Sequence, residues 1–420
     1  MKSISEILSD SCPIFHRRHE INASHLKNSV RNLADAMHAA DPSAQFAMGL
    51  WDGDILAFGA HPKTILRFKT PRAAAELFAR GFLGFGECYT SGELEVEGDL
   101  QELLRLGFAI KFDDGDLPFS QKLRLLPHYI RSRNTVEQAP CNIAGHYGLE
   151  NEFYSLYLDE TMTYSCAYFK TGEESLDEAQ LDKYRHIARK LLLKPGERLL
   201  DVGCGWGGML ILAAREYGIR GIGNTISRNQ FEYANERIKV LGLQNQIEVV
   251  LDDYRNLRGK FDKFVSIGMF EHVGKEYIPT FMHKVSSLLE PRGLGLLHTI
   301  GKDVYSHVDP WTERYIFPGG YVPNLPEIVL EMGLNGLPVL DVENLRMHYA
   351  RTLDRWAANY EKNAAKIAEM FDESFVRMWR LYLNTCAAGF KYGYVRLFQV
   401  LFSNGLNNEL PLTRNGAPYP

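Results

Sequence analysis

Cysteine is scarce in this chain and never clustered. Cys12, Cys88, Cys141, Cys166, Cys204 and Cys386 are widely scattered and form no C-x-x-C pair, so neither a zinc site nor a disulfide framework is suggested. Free thiols in a reducing compartment are the simpler expectation. Long apolar runs are also lacking. No stretch reaches the ~18 uncharged apolar residues that a membrane-spanning helix needs. The opening residues MKSISEILSDSCPIF have no signal-peptide core. A cytoplasmic protein is therefore expected. Basic residues are not in excess either, 47 against 52 acidic for a net charge of -5. That balance argues against a general nucleic-acid binder, but leaves room for a local basic patch on anionic lipid.

What is present is the profile of a folded protein, with 45% hydrophobic and 24% charged residues. At 420 residues the chain is long for one domain, so two are expected. Residues 1–112 read as a small α+β unit. FAMGLWDGDILAFG (46–59) is a hairpin turning at Asp52-Gly53, ILRFKT is a third strand, and PRAAAELFARG is a helix from Pro71 to Gly81. A glycine-rich turn, a short strand and another helix follow. Residues 113–145 read as a linker. Its QKLRLLPHYIRSRN sets Lys122, Arg124, Arg131 and Arg133 among apolar residues, a pattern that suits either an anionic membrane surface or a connecting helix.

Residues 146–420 read as the catalytic domain. From about residue 185 short apolar strands alternate with helices, the signature of a doubly wound, mostly parallel α/β sheet. The strands are ERLLDV, RGIGNTI, QIEVVL, FDKFVSIG and GLGLLHTI. The aromatic stretch 374–402 reads as a long helix of core or tunnel lining. The first strand runs into Asp201-Val202-Gly203-Cys204-Gly205-Trp206-Gly207-Gly208, at the carboxyl end where such sheets bind ligands. The spacing G-x-G-x-G-G is neither the dinucleotide fingerprint nor a phosphate-binding Walker loop.

This turn resembles the first motif of class I S-adenosylmethionine methyltransferases, with a Rossmann-like seven-stranded domain as the fold implied. That resemblance places Gly203 and Gly205 against the methionine part of the cofactor and Asp201 near its amino group. Most such enzymes end the second strand on an acidic residue. Asn224-Thr225-Ile226-Ser227 stands there instead, the pattern of a subgroup in which Thr225, Ile226 and Gln230 line the ribose side. Asp252, Asp253 and Tyr254 are then placed for the adenine.

Further motifs are more specific: Tyr164-Ser165-Cys166-Ala167-Tyr168-Phe169, Gly268-Met269-Phe270-Glu271-His272-Val273-Gly274, Leu297-His298-Thr299-Ile300-Gly301, IFPGGYVP and His348-Tyr349-Ala350. Together they closely resemble the cyclopropane fatty acid synthases and mycolic acid cyclopropane synthases. The resemblance implies methylene transfer from S-adenosylmethionine to the cis double bond of an unsaturated phospholipid acyl chain. Such an enzyme would be a homodimer attached peripherally to the inner face of the membrane. It also implies a bound bicarbonate as base, held by Glu271, His298, Tyr349 and the amides of Cys166 and Ile300, with Tyr164 and Ser165 on the cofactor. Aromatic rings at Tyr164, Phe169, Tyr254, Phe270, Tyr315 and Phe317 are candidates to face the sulfonium.

Taken singly, His298 reads as a hydrogen-bonded core residue, Glu271 as a helix cap and Cys166 as a buried filler. Their combination at carboxyl ends of strands favours a site. The alternatives are a methyl- or methylene-branched acyl product, a small-molecule methyltransferase on the same fold, and a lipid-binding module with a vestigial cofactor turn.

Overall fold

The computed structural model describes residues 23–110, 150–305 and 309–411. The basic amphipathic segment and the rest of the expected linker 113–145 lie outside the described residues. The chain divides into two compact units.

The first unit holds strands β1 (Phe46–Gly49), β2 (Ile55–Phe58), β3 (Thr64–Phe68) and β4 (Leu94–Glu97) in a sheet of order β2-β1-β3-β4. β1 and β2 form the expected antiparallel hairpin, Gly49 opposite Ile55, and Gly53 takes positive φ in its turn. The helix opening at Pro71 is capped by Thr70, whose side chain accepts from the Ala73 amide. It does not stop at Gly81. It kinks there (φ 56°, ψ -134°) and runs on to Thr90, so the expected glycine-rich turn is mostly helix. At Gly84 a Cβ would sit 2.1 Å from the Glu76 carbonyl oxygen, which is why the kink needs glycine. Arg80 bridges the bend to Glu76 and Glu87 at 2.6 and 2.5 Å. Residues 309–316 and 357–392 cluster with this unit, including the helix Glu373–Lys391.

The second unit is built on β5 (Arg198–Val202), β6 (Arg220–Thr225), β7 (Ile247–Leu251), β8 (Phe261–Ile267), β9 (Leu289–Gly301), β10 (Val339–Asn344) and β11 (Arg396–Ser403). They form one seven-stranded sheet of order β10-β11-β9-β8-β5-β6-β7. Neighbours from β9 through β7 pair in parallel, while β11 pairs antiparallel with both β9 and β10. This is the expected Rossmann-like, mostly parallel α/β fold. Its seven strands match the number that the resemblance implies, but the two at its far side do not stand out in the sequence, where VRLFQVLF reads as part of a helix.

Alternation along the strands sends successive side chains to opposite faces. Leu199, Leu294, Leu296 and Leu401 pack with helices Leu176–Lys190, Gly208–Tyr217 and Arg228–Val240. Leu200, Leu297, Val400 and Phe402 pack on the other face with helices Ile278–Leu288 and Leu325–Leu334. Both faces are therefore covered, as a parallel sheet requires. The chain leaves β5 toward β6 and β7, then returns to β8 on the other side of β5. The strand order reverses between β5 and β8, which is where ligands bind in such sheets. No described helix is long and apolar enough to cross a membrane.

Candidate active site

A cleft opens at that reversal. All ten residues expected at the cofactor line it: Tyr164, Ser165, Asp201, Gly203, Gly205, Thr225, Ile226, Gln230, Asp253 and Tyr254. The turn after β5 is bound to the end of β6, because the amides of Gly203 and Cys204 both donate to the Asn224 carbonyl. Asn224 Nδ2 in turn donates to the Asp252 carbonyl at 3.0 Å. Asn224 thus spans three strand ends, a task no carboxylate could perform with the same donor.

Gly203 has φ 79°, and a Cβ there would meet the Met269 side chain at 2.5 Å. Gly205 has φ 55°, and nothing described lies within 4 Å of where its Cβ would be. One glycine is demanded by packing and the other leaves open space, as a cradle for a ligand requires. The Thr225 hydroxyl donates to Gln230 Oε1 at 2.7 Å. Asp253 is clamped by Arg255, each of its oxygens 2.8 Å from a guanidinium nitrogen.

Asp201 is buried and its Oδ1 has no partner. Burial raises its carboxyl to about 7, opposed by the Lys183 charge. Lys183 is fully buried. It donates to Ser165 Oγ at 2.9 Å and lies over the Tyr184 ring, and burial lowers it to about 7. Trp206 of the turn motif also lines the cleft, as do Lys183 and Tyr184, which the sequence motifs do not include. The available signal was a lysine within the buried stripe Gln180, Lys183, Tyr184 and Ile187 of one helix. An unpaired carboxylate facing a buried cation suits a ligand carrying both an ammonium and a carboxylate, so the residues fit S-adenosylmethionine.

The segment carrying Tyr164 to Phe169 is held on both sides. Gln180 Nε2 donates to the carbonyls of Thr163 and Ser165. From helix Arg346–Lys362, Thr352 Oγ1 accepts the Ala167 amide at 3.0 Å and His348 Nδ1 accepts the Phe169 amide at 3.0 Å. Tyr164 stacks on Trp356 (5.1 Å between centroids), and Tyr349 meets the same indole edge-on.

The five expected catalytic residues do not line the cleft itself. Cys166 is fully buried, its thiol pushed well up by burial and turned to the Ala167 carbonyl. Glu271 follows β8 and reaches β9, where its Oε1 accepts the Ile300 amide at 2.6 Å. The Ile300 amide, expected to hold an anion, is thus already engaged. Glu271 Oε2 has no partner, and burial raises the carboxyl to about 7. His298, two residues before Ile300 on the same face of β9, has Nε2 without a partner. Burial holds its ring well below the usual imidazole range, hence neutral. Of the expected aromatics, Tyr164 and Tyr254 line the cleft. Tyr315 lies in the first unit, its hydroxyl donating to Glu87 at 2.9 Å.

The chain is similar to known proteins along most of its length. A family model described as mycolic acid cyclopropane synthetase matches residues 134–400, and a domain of unknown function matches residues 35–112. A probable fatty acid methyltransferase of Pseudomonas putida is 38% identical over 87% of this chain and 94% of the relative. A cyclopropane-fatty-acyl-phospholipid synthase of Escherichia coli K12 is 37% identical over 85% of this chain and 92% of the relative. Among solved structures, a cyclopropane synthase from Mycobacterium tuberculosis matches with TM-score 0.61 and 31% identity, over 63% of this chain and 98% of that one. A mycolic acid cyclopropane synthase complexed with SAH matches with TM-score 0.60 and 34% identity, over the same shares. The chain therefore belongs to the mycolic acid cyclopropane synthetase family and is an S-adenosylmethionine-dependent methyltransferase.

Proposed function

We propose that the chain transfers a methylene unit from S-adenosylmethionine to the cis double bond of an unsaturated acyl chain in a phospholipid, making a cyclopropane ring. The observation that carries this reading is that two buried atoms, Glu271 Oε2 just after β8 and His298 Nε2 on the neighbouring β9, have no partner. An N- or O-methyltransferase needs a base for a lone-pair donor. An alkene has no acidic proton at the start and sheds one only when the ring closes, so its site needs proton-accepting capacity near the donor carbon.

The bound cofactor supplies an electrophilic methyl group, and bicarbonate held by Glu271 and His298 supplies a base. Their polar atoms fit a small hydrogen-bonding anion. Neutral His298 can donate from Nε2. Glu271, with a raised affinity for protons, can carry one and donate as well. Asp201 and Lys183 orient the cofactor's amino-acid end. The stacked Tyr164 and Trp356 keep the wall next to the donor apolar and exclude water. On this reading the chain acts as a homodimer at the inner membrane surface, docked without spanning it.

A relative named as a probable fatty acid methyltransferase motivates a second reading, a methyl-branched acyl product. One experiment separates the two. Purified protein is incubated with a trideuteromethyl donor and vesicles of monounsaturated phospholipid, and acyl chains are weighed by mass spectrometry. Ring formation retains two deuterium atoms of the three. A methyl branch retains all three, and unmodified lipid with intact cofactor binding would sink both readings.

A further inference from the structure

His298 is neutral and carries one ring proton, and nothing in the catalytic reading says which nitrogen holds it. The sheet register supplies an answer. Glu343 of β10, Gln399 of β11 and His298 of β9 stand directly opposite one another in successive strands, so their side chains share one face. Gln399 and His298 are both buried to within 1%. Gln399 Nε2 lies 3.1 Å from His298 Nδ1, while Gln399 Oε1 and His298 Nε2 have no partner. Behind them Glu343 Oε2 accepts from His186 Nε2 at 2.7 Å and Lys190 Nζ at 2.5 Å. Burial works against its charge, yet the His186 hydrogen bond and the Lys190 cation hold it down at about 2.

An amide nitrogen can only donate, so facing Nδ1 it makes Nδ1 the acceptor and leaves the ring proton on Nε2. The opposite amide orientation would leave two N–H donors without partners in a buried site. The observed one pairs one of the two N–H donors and leaves the other with the carbonyl oxygen, one orphaned donor fewer.

We propose that Gln399 is a positioning residue that holds His298 in its Nε2–H tautomer, so that Nε2 presents a hydrogen-bond donor to the anion beside Glu271. The anion half of this statement rests on the function proposed above, whereas the tautomer half stands on the register and the contact alone. Gln399 touches no reacting atom. It acts through the imidazole, as outer partners of metal-bound histidines do.

The test begins with the wild-type chain, labelled with ¹⁵N-histidine and read by NMR, the His298 signals assigned by their loss in His298→Gln. The expected spectrum has a pyrrole-like Nε2 and a pyridine-like Nδ1. A pyrrole-like Nδ1 in the wild type overturns the proposal without any variant. Gln399→Met, similar in volume but lacking the amide, should give mixed tautomers and raise the KM for added bicarbonate about 10- to 100-fold with cofactor affinity unchanged. Gln399→Glu should draw the proton to Nδ1, and covers the case in which the methionine variant does not fold. Unchanged tautomers in a folded variant would also overturn it. The expected tautomer together with turnover indifferent to bicarbonate supports the role of Gln399 and instead sinks the anion reading.

Discussion

Glu271 and Ile300 are joined by one short hydrogen bond: the Ile300 amide donates to Glu271 Oε1 at 2.6 Å. The carboxylate is thus tied to a strand as well as to its own short helical turn, Phe270–His272. The free oxygen is positioned by β9, the strand that also carries His298.

Glu271→Gln keeps an oxygen for the Ile300 amide but removes the ability to carry a proton. Turnover on lipid vesicles should fall about 10²- to 10⁴-fold. Cofactor affinity, measured by equilibrium dialysis, should stay within about twofold. An equal loss of both would reassign Glu271 to cofactor binding.

Asp201 gives a pH prediction. Its pKa is raised to about 7 from an ordinary 3.8, so the folded protein favours the protonated form. The cost of ionising it is absent below about pH 4 and grows as pH rises toward 7, reaching on the order of 4 kcal/mol. On the proposal that Asp201 receives the cofactor's ammonium group, binding requires the carboxylate. Affinity should therefore climb about tenfold per pH unit between pH 5 and 6, where Lys183 is still charged, and flatten toward pH 7 as both groups titrate. Calorimetry in buffers of different ionisation enthalpy should detect one proton released below pH 7. Asp201→Asn should abolish that release, weaken binding and raise the stability of the free protein at pH 8.

The two cradle glycines should respond differently to alanine. Gly203→Ala combines a positive φ with a Cβ at 2.5 Å from Met269, so thermal unfolding should show a loss of about 1–3 kcal/mol. Gly205→Ala meets no described atom within 4 Å and should cost only about 1 kcal/mol. Its methyl group would project into the space proposed for the cofactor, so affinity should fall more than stability does.

Thr352→Val removes the acceptor for the Ala167 amide and the donor to the His348 carbonyl. An orphaned buried amide costs about 1–3 kcal/mol. Urea unfolding should register that loss, and turnover should fall with it as the segment bearing Cys166 loosens. Full activity in a destabilised protein would show that this tether serves stability alone.

The cofactor cleft was legible because its signals are local. A strand, a glycine turn and a helix follow one another from Arg198 to Tyr217, and the chemistry of each position follows from the turn. The far side of the sheet was not. VRLFQVLF is mostly apolar, and such a run reads equally as buried helix or buried strand. The break that decides between them is Gly393, at φ 83°, two residues past the end of helix Glu373–Lys391. The extension of the first unit's helix past Gly81 was hidden for the opposite reason, since clustered glycines suggest a turn and here permit close packing. Gln399 was invisible because its partner lies 101 residues away in sequence, a distance only strand register can bridge.

That same strand has a consequence for how the protein is made. β11 follows the other six strands of its sheet in sequence, yet lodges between β9 and β10 rather than at an edge. A nascent chain that has emerged only through residue 395 can fold its nucleotide-facing half, but β9 and β10 still display unsatisfied edges. Exposed edges of that kind recruit other chains. Ribosome pausing or truncation just before Arg396 should therefore be hazardous, and the vulnerable interval closes only when the last eight-residue strand slides into its slot.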